Sequence, residues 1–131
     1  MVLDSSVLIA AYVTRAGVCA ELYEEVLQHH DLVLSDYILG EVRRNLSSRF
    51  LIADSIVQRV IDGMSRAAEI VEPATVPHAA CRDPDDLPIL GTAVAGKAQW
   101  LISVDHDLLD LHSFRGIEII RPGEFWKRTC G

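Results

Sequence analysis

Four carboxylates stand where a divalent-metal site could be assembled: Asp4, Glu41, Asp86 and Asp105. Asp4 follows the apolar Met1-Val2-Leu3 directly, and Asp105 follows Leu101-Ile102-Ser103-Val104 in the same way. Glu41 lies on the polar side of a helical pattern in which Ile38, Leu39, Val42 and Leu46 recur at three- and four-residue steps. Asp86 opens a further helical stretch that runs to Ala98, its early Pro88 being tolerated only in the first turn. Carboxylates from four separate elements can converge on one cleft, and an oxygen-only cluster suits a hard divalent cation such as Mg²⁺ or Mn²⁺. One or two such ions would act as Lewis acids and lower the pKa of a bound water. Asp4, Asp86 and Asp105 are then the expected ligands, directly or through water, and Glu41 either a ligand or the base that orients the attacking water.

Each acid also has a plainer role. Asp4 can cap the helix that begins at Ser5. Asp83, Asp85 and Asp86 beside Pro84 can mark a helix start, where the dipole favours negative charge. Asp105 and Asp107, flanking His106, can be turn residues, and a helical glutamate is usually solvated. Asp85 competes with Asp86 for the third position.

The elements that would position these acids alternate between short apolar runs and longer amphipathic ones. Strands are expected at Met1–Leu3, Leu32–Leu34, Glu69–Glu72, Trp100–Val104 and Ile117–Ile120. Helices are expected over Ser5–Val13, from just after Gly17 to about His30, from Ser35 or Asp36 through Leu46, around Ile56–Met64, and from Asp86 to Ala98. Pro73 to Pro88 holds four of the five prolines and reads as a connection. Alternating strands and helices imply a three-layer α/β/α domain, residues 1–131, around a mostly parallel sheet of four to five strands. Ligands of such sheets bind outside the carboxyl ends of the strands, which is where Asp4 and Asp105 emerge.

Composition limits the alternatives. The chain has 131 residues, half of them apolar, and 19 Asp+Glu against 12 Lys+Arg give a formal charge of -7. The length suits one core, the apolar content excludes disorder, and the charge excludes a generally basic surface. Cys19, Cys81 and Cys130 are odd in number and widely spaced, against a disulfide framework. The apolar run Val7–Val13 is far short of a membrane span, and no basic segment precedes it, so a cytoplasmic protein without a membrane association is expected. The five histidines fall at a helix end or in connections and suggest surface roles.

Taken together, the motifs resemble those of the PIN-domain ribonucleases. Val2-Leu3-Asp4-Ser5-Ser6-Val7-Leu8 resembles their opening strand, acid and helix, and Leu34-Ser35 followed by Ile38-Leu39-Gly40-Glu41-Val42 their second motif. Asp86-Leu87-Pro88-Ile89-Leu90-Gly91-Thr92-Ala93 resembles the third, and Leu101-Ile102-Ser103-Val104-Asp105 with Asp107-Leu108-Leu109 the fourth, in the same order from Val2 to about Trp126. Cys81-Arg82-Asp83-Pro84-Asp85-Asp86 is similar to the branch holding VapC-type toxins of toxin–antitoxin pairs. The resemblance implies an acidic quartet of Asp4, Glu41, Asp86 and Asp105, and products with a 5′-phosphate and a 3′-hydroxyl. Ser103 stands where the family often has Thr or Ser near the metal, and Ser6 where many members have Asn. It also implies an RNA substrate, a homodimer and a cognate antitoxin protein whose peptide covers the cleft. The Val7–Val13 helix, Tyr12, Tyr23 and the region Leu46–Phe50 are candidate surfaces for those partners, and equally candidate core.

Holding RNA on an acidic protein requires local cations. Arg43 and Arg44 follow Glu41 on the same helix, with Arg49 further along, and are candidates for phosphate contact. Eight aromatics are too few for an extended stacking platform, so recognition would rest on backbone and shape. Two other classes compete. A phosphoacceptor receiver domain would need a second acid beside Asp4, an acceptor Asp after the third strand and a Lys near the last, where this chain has Ser5, Glu72-Pro73 and Arg121-Pro122. A haloacid-dehalogenase-type phosphatase would need an Asp at Ser6. A non-catalytic PIN-like scaffold or RNA-binding partner protein is favoured only by the atypical Ser6.

Overall fold

Residues 1–130 are described by a computed structural model, in which the short apolar runs pair as strands and the amphipathic runs cover them as helices. In chain order these are β1 (Val2–Leu3), α1 (Ser5–Thr14), α2 (Val18–His29), β2 (Val33–Leu34), α3 (Asp36–Ser48), α4 (Asp54–Ala67) and β3 (Glu69–Ile70). Then come α5 (Leu87–Ala95), β4 (Trp100–Ile102), α6 (His106–Leu109), β5 (Ser113–Phe114), β6 (Ile117–Ile120) and α7 (Pro122–Cys130). Two 3₁₀ turns, His78–Ala80 and Pro84–Asp86, interrupt the proline-rich connection between β3 and α5.

The strands form one sheet in the order β3-β2-β1-β4-β6-β5, parallel except for β5 against β6. Val2 and Leu3 of β1 are fully buried, as are Leu101 and Ile102 of β4. Successive strand residues point to opposite faces, so both faces of the sheet centre are covered and the domain is three-layered. The chain steps outward from β1 through β2 to β3, then returns across the sheet to lay β4 on the other side of β1. The switch in direction therefore falls between β1 and β4, and the crevice at their carboxyl ends is the position where open α/β sheets bind ligands.

Several boundaries differ from the sequence pattern for local reasons. β3 covers Glu69 and Ile70 only, because both are exposed at the sheet edge and Pro73 soon follows. α5 stops at Ala95, where Gly96 caps it and Lys97 takes a left-handed φ of 52°. The sheet has six strands because the two-residue β5 folds back on β6 through Arg115 and Gly116, both at positive φ.

Two contacts fix the connection that carries Asp83 and Asp86. The backbone of Ala74 lies on α5, its N–H donating to the carbonyl of Gly91 at 2.9 Å. A Cβ on Gly91 would stand 2.2 Å from the Ala74 carbonyl oxygen, so this crossing requires glycine. Next to it the Thr92 hydroxyl lies 2.8 Å from Ser35 Oγ and 2.7 Å from the Pro88 carbonyl, tying α5 to the start of α3. Ser35 is itself the α3 cap, accepting from the Ile38 N–H. At the opposite edge of the sheet, fully buried Phe125 of α7 makes edge-on contacts with His30, Trp100 and Trp126. No single helix among the described residues is long and apolar enough to cross a membrane, and the consecutive α1 and α2 are bent by 108° relative to each other.

Candidate metal centre

Asp4 leaves β1 at the switch point, its N–H donating to the Ile102 carbonyl of β4 at 3.0 Å. It occupies the position before α1, yet its carboxylate makes no helix-capping hydrogen bond. Three hydroxyls hold it instead. Ser103 Oγ donates to Oδ2 at 2.8 Å and Ser6 Oγ to the same oxygen at 2.9 Å, while Ser5 Oγ lies 3.3 Å from both Asp4 Oδ1 and Glu41 Oε1. Ser103, fully buried, also accepts from the Asp105 N–H at 2.9 Å, so one serine fixes the acids of both central strands relative to each other. Ser6, the residue expected to depart from the usual Asn, directs its hydroxyl to Asp4.

The sequence quartet is brought together. Asp4, Glu41, Asp86 and Asp105 line one cavity of about 230 Å³, with Ser5, Ser6 and further acids Asp83 and Asp85. Asp105 also serves the plainer purpose, capping α6 by accepting from the Asp107 N–H at 2.9 Å. Asp83 likewise caps the 3₁₀ turn through the Asp85 N–H. Asp86 is buried while Asp85 is exposed, and the backbone carbonyl of Asp85 accepts from Tyr37 at 2.6 Å. The carboxylate oxygens of Asp83, Asp86 and Asp107 lie within 4.8 Å of one another, a second oxygen triad sharing Asp86. Sequence reasoning did not mark Asp83 and Asp107 as possible ligands. The signal was the Asp-Pro-Asp-Asp and Asp-His-Asp spacing, which ordinary turn chemistry also explains.

The arginines distribute differently from their order in sequence. Arg43 turns toward α4, its Nη1 donating to Gln58 Oε1 at 2.9 Å, and neither Arg43 nor Arg44 lines the cavity. Arg44 is near enough for its charge to favour the ionised form of Glu41. The cation on the cavity wall is Arg49, just past the end of α3. Arg82 is engaged at the rim, 3.0 Å from Asp107 and 2.5 Å from Asp110.

Crowding raises the proton affinity of the acids. Burial, then the charges of Asp105, Asp4 and Asp83, pushes the Asp86 carboxyl up to about 8. Asp4 is raised chiefly by burial, against the opposing hydrogen bonds from Ser103 and Ser6. Glu41 is raised by burial and then by Asp4, with Ser5 and Arg44 opposing. Among the described residues none of the four makes an ion pair with Lys, Arg or His. The donor set fits a hard divalent cation: the cavity's acidic donors are carboxylate oxygens, two of the quartet acids are buried, and none of the quartet is ion-paired among the described residues, while the Cys81 thiol stands 3.9 Å from Asp86 Oδ2 outside the cavity lining.

Comparison with known proteins agrees with this arrangement. The sequence profile described as the PIN domain matches residues 1–107, a span that contains all four acids and ends before β5, β6 and α7. Among solved structures the chain is similar to VapBC2 from Rickettsia felis bound to a DNA fragment from their promoter. The TM-score is 0.64 at 13% identity, covering 92% of this chain and 96% of that one. No curated protein sequence matches.

Proposed function

This chain belongs to the PIN-domain family, and on that premise we propose that it is a divalent-metal-dependent ribonuclease serving as the toxin of a toxin–antitoxin pair. The observation that carries the reading is the cavity itself. Two buried acids, Asp4 and Asp86, and two partly buried ones, Asp105 and Glu41, face one space whose wall carries a single cation, Arg49, and none of the four is ion-paired among the described residues. Leaving such a group uncompensated costs several kcal/mol, a cost a fold sustains where the charges have a use.

Asp4, Asp86 and Asp105 would hold one or two Mg²⁺ or Mn²⁺ ions, with Glu41 at the edge of the same set. When bound, the ion supplies Lewis-acid activation of water and neutralises charge at the scissile phosphate. Ser103 and Ser6 fix the plane of the Asp4 carboxylate by donating to one oxygen, leaving Oδ1 with only the long contact from Ser5. Glu41, with its proton affinity raised and its Oε1 near Ser5, would act as the base that takes a proton from the attacking water. On this reading the nucleophile is water, so neither the serines engaged with Asp4 nor the carboxylates need to attack phosphorus themselves.

The scaffold reading has little to recommend it, since Ser6 retains a hydrogen bond to Asp4. An antitoxin partner, and dimerisation of this chain, follow from the likeness to VapC-type proteins. Purified protein incubated with RNA in Mg²⁺ or Mn²⁺ should cleave it, and chelator should stop the reaction. Asp4→Asn and Asp86→Asn should each abolish cleavage with the fold retained by circular dichroism. Full activity in both variants would refute the quartet. Co-purification with the product of an adjacent reading frame encoding a small DNA-binding protein tests the toxin assignment separately.

A further inference from the structure

Two arginine-on-aromatic pairs flank one hollow beside the acidic cavity. The Arg49 guanidinium lies 5.4 Å over the Phe50 ring, and that of Arg15 lies 5.6 Å over the Tyr12 ring. Tyr12, Arg15 and Phe50 line the hollow, about 420 Å³, together with aliphatic side chains that include Val13 and Ile56. No carboxylate is among its lining residues, in a chain where acids outnumber bases by 19 to 12. The hollow and the cavity adjoin along two elements. On α1, Ser6 and Ile9 line the cavity while Tyr12 and Val13 line the hollow, at steps that keep all four on one helix face. Past the end of α3, Arg49 lines the cavity and its neighbour Phe50 the hollow.

Arg49 is exposed on a wall shared with six carboxylates, yet makes no ion pair among the described residues. Its planar fork of donors is suited to a phosphate. Phe50 is 38% exposed, and its turn is held by backbone bonds from Phe50 N to Asn45 O at 3.3 Å and from Ile52 N to Leu46 O at 3.0 Å. Aromatic faces with arginine beside a phosphate path are the means by which single-stranded nucleic acids are held without base-specific readout. The volume is in the range of small-ligand pockets and admits one nucleotide.

We propose that this hollow is a subsite for one unpaired nucleotide next to the scissile phosphate, with Arg49 holding the backbone phosphate and Phe50 and Tyr12 offering stacking faces to the base. The position relative to cleavage rests on the ribonuclease reading; the binding itself does not. A base bound there is out of its helix, so the subsite selects single-stranded over duplex RNA.

The test is fluorescence anisotropy with a short labelled single-stranded RNA and with the same strand in duplex, in chelator and in millimolar Mg²⁺. Arg49→Ala and Phe50→Ala should each weaken single-strand binding roughly tenfold, and Arg49→Ala should lower the salt dependence by about one counterion. Arg49→Lys should restore part of the loss, Phe50→Trp nearly all of it, and Arg66→Ala on α4 should change little. In cleavage, Phe50→Ala should raise KM with kcat at saturation retained. Unchanged affinity in both alanine variants overturns the subsite, as does wild-type protein that does not bind single-stranded RNA or does not prefer it to duplex. An altered oligomeric state with RNA binding unchanged also overturns it, making the hollow a protein contact. The expected binding pattern without any cleavage would uphold the subsite and refute the ribonuclease reading instead.

Discussion

Replacing Asp86 by Asn should remove a pH dependence of stability from the metal-free protein. The Asp86 carboxyl, pushed up to about 8 by burial and by Asp105, Asp4 and Asp83, binds its proton far more tightly folded than unfolded, where the ordinary value near 3.8 applies. A raised folded value means that the native state carries the extra proton across this window. The stability it confers is complete below about 3.8 and is lost as pH rises through about 8. Each pH unit within the window is worth at most ~1.4 kcal/mol, and the loss tapers near its upper end. From pH 6 to pH 8 the wild-type apo protein should therefore lose about 2 kcal/mol from this group, or roughly 6–10 °C in melting temperature for a domain of this size. The raised Asp4 and Glu41 carboxyls make stability fall with rising pH in the same direction. Chelator-treated wild type and Asp86→Asn, melted across that range, should diverge, the variant showing the shallower fall. Millimolar Mn²⁺ should then raise the wild-type melting temperature most at high pH, because the cation displaces the proton, and raise that of the variant much less. Equal pH slopes in the two apo proteins, or a wild type that becomes more stable toward pH 8, would refute the crowding argument.

Ser103→Ala removes a buried donor to Asp4 and the acceptor of the Asp105 N–H; it should cost about 1–3 kcal/mol in chemical denaturation and lower cleavage, with Ser103→Thr recovering both. Gly91→Ala places a methyl against the Ala74 carbonyl and should cost about 1–3 kcal/mol or more, measured the same way, with increased protease sensitivity in the connection leading to Asp86. Phe125→Ala empties a fully buried aromatic site remote from the acids; about 3–5 kcal/mol of stability should be lost, while Mn²⁺ still raises the melting temperature of whatever folds.

The parts of this architecture legible in the sequence are those that repeat a pattern over many residues or place a polar residue against one. Asp4 and Asp105 were readable because each ends an apolar run, and parallel strands present their carboxyl ends to the same edge. α3 and α4 were readable from apolar steps of three and four. β5 was not, because two residues contain no period, and its pairing depends on the left-handed backbone at Arg115 and Gly116. α6 and α7 escaped for related reasons: α6 is a single turn capped by Asp105, and α7 opens on Pro122 with its apolar contribution concentrated in Phe125 and Trp126. Within the site, Asp83 and Asp107 meet Asp86 only because the proline-rich connection folds over α5 at Gly91, a tertiary fact without a local signature. Arg49 displaced Arg43 and Arg44 as the cation at the cavity because proximity to Glu41 along a helix does not fix which way a long side chain turns. Gln58 of α4 draws Arg43 aside.

A net charge of -7 argues against nucleic-acid binding only while the charge is treated as spread over the surface. Setting aside the quartet leaves 15 acids against 12 bases, a mildly acidic body, and the cavity holds Asp83 and Asp85 in addition. Six carboxylates around so small a space repel a phosphodiester as strongly as they repel one another, and the same repulsion raises the Asp86 proton affinity. Protons relieve it at low pH, and divalent ions would relieve it at neutral pH while turning a repulsive wall into an attractive one. Stability and substrate affinity should therefore respond to the same cations over the same range of concentration. Of the nearby arginines, Arg49 shares the cavity wall and Arg15 lines the adjoining hollow, each over an aromatic ring and neither ion-paired with an acid of the cluster among the described residues, so the repulsion is left for protons or divalent ions to relieve.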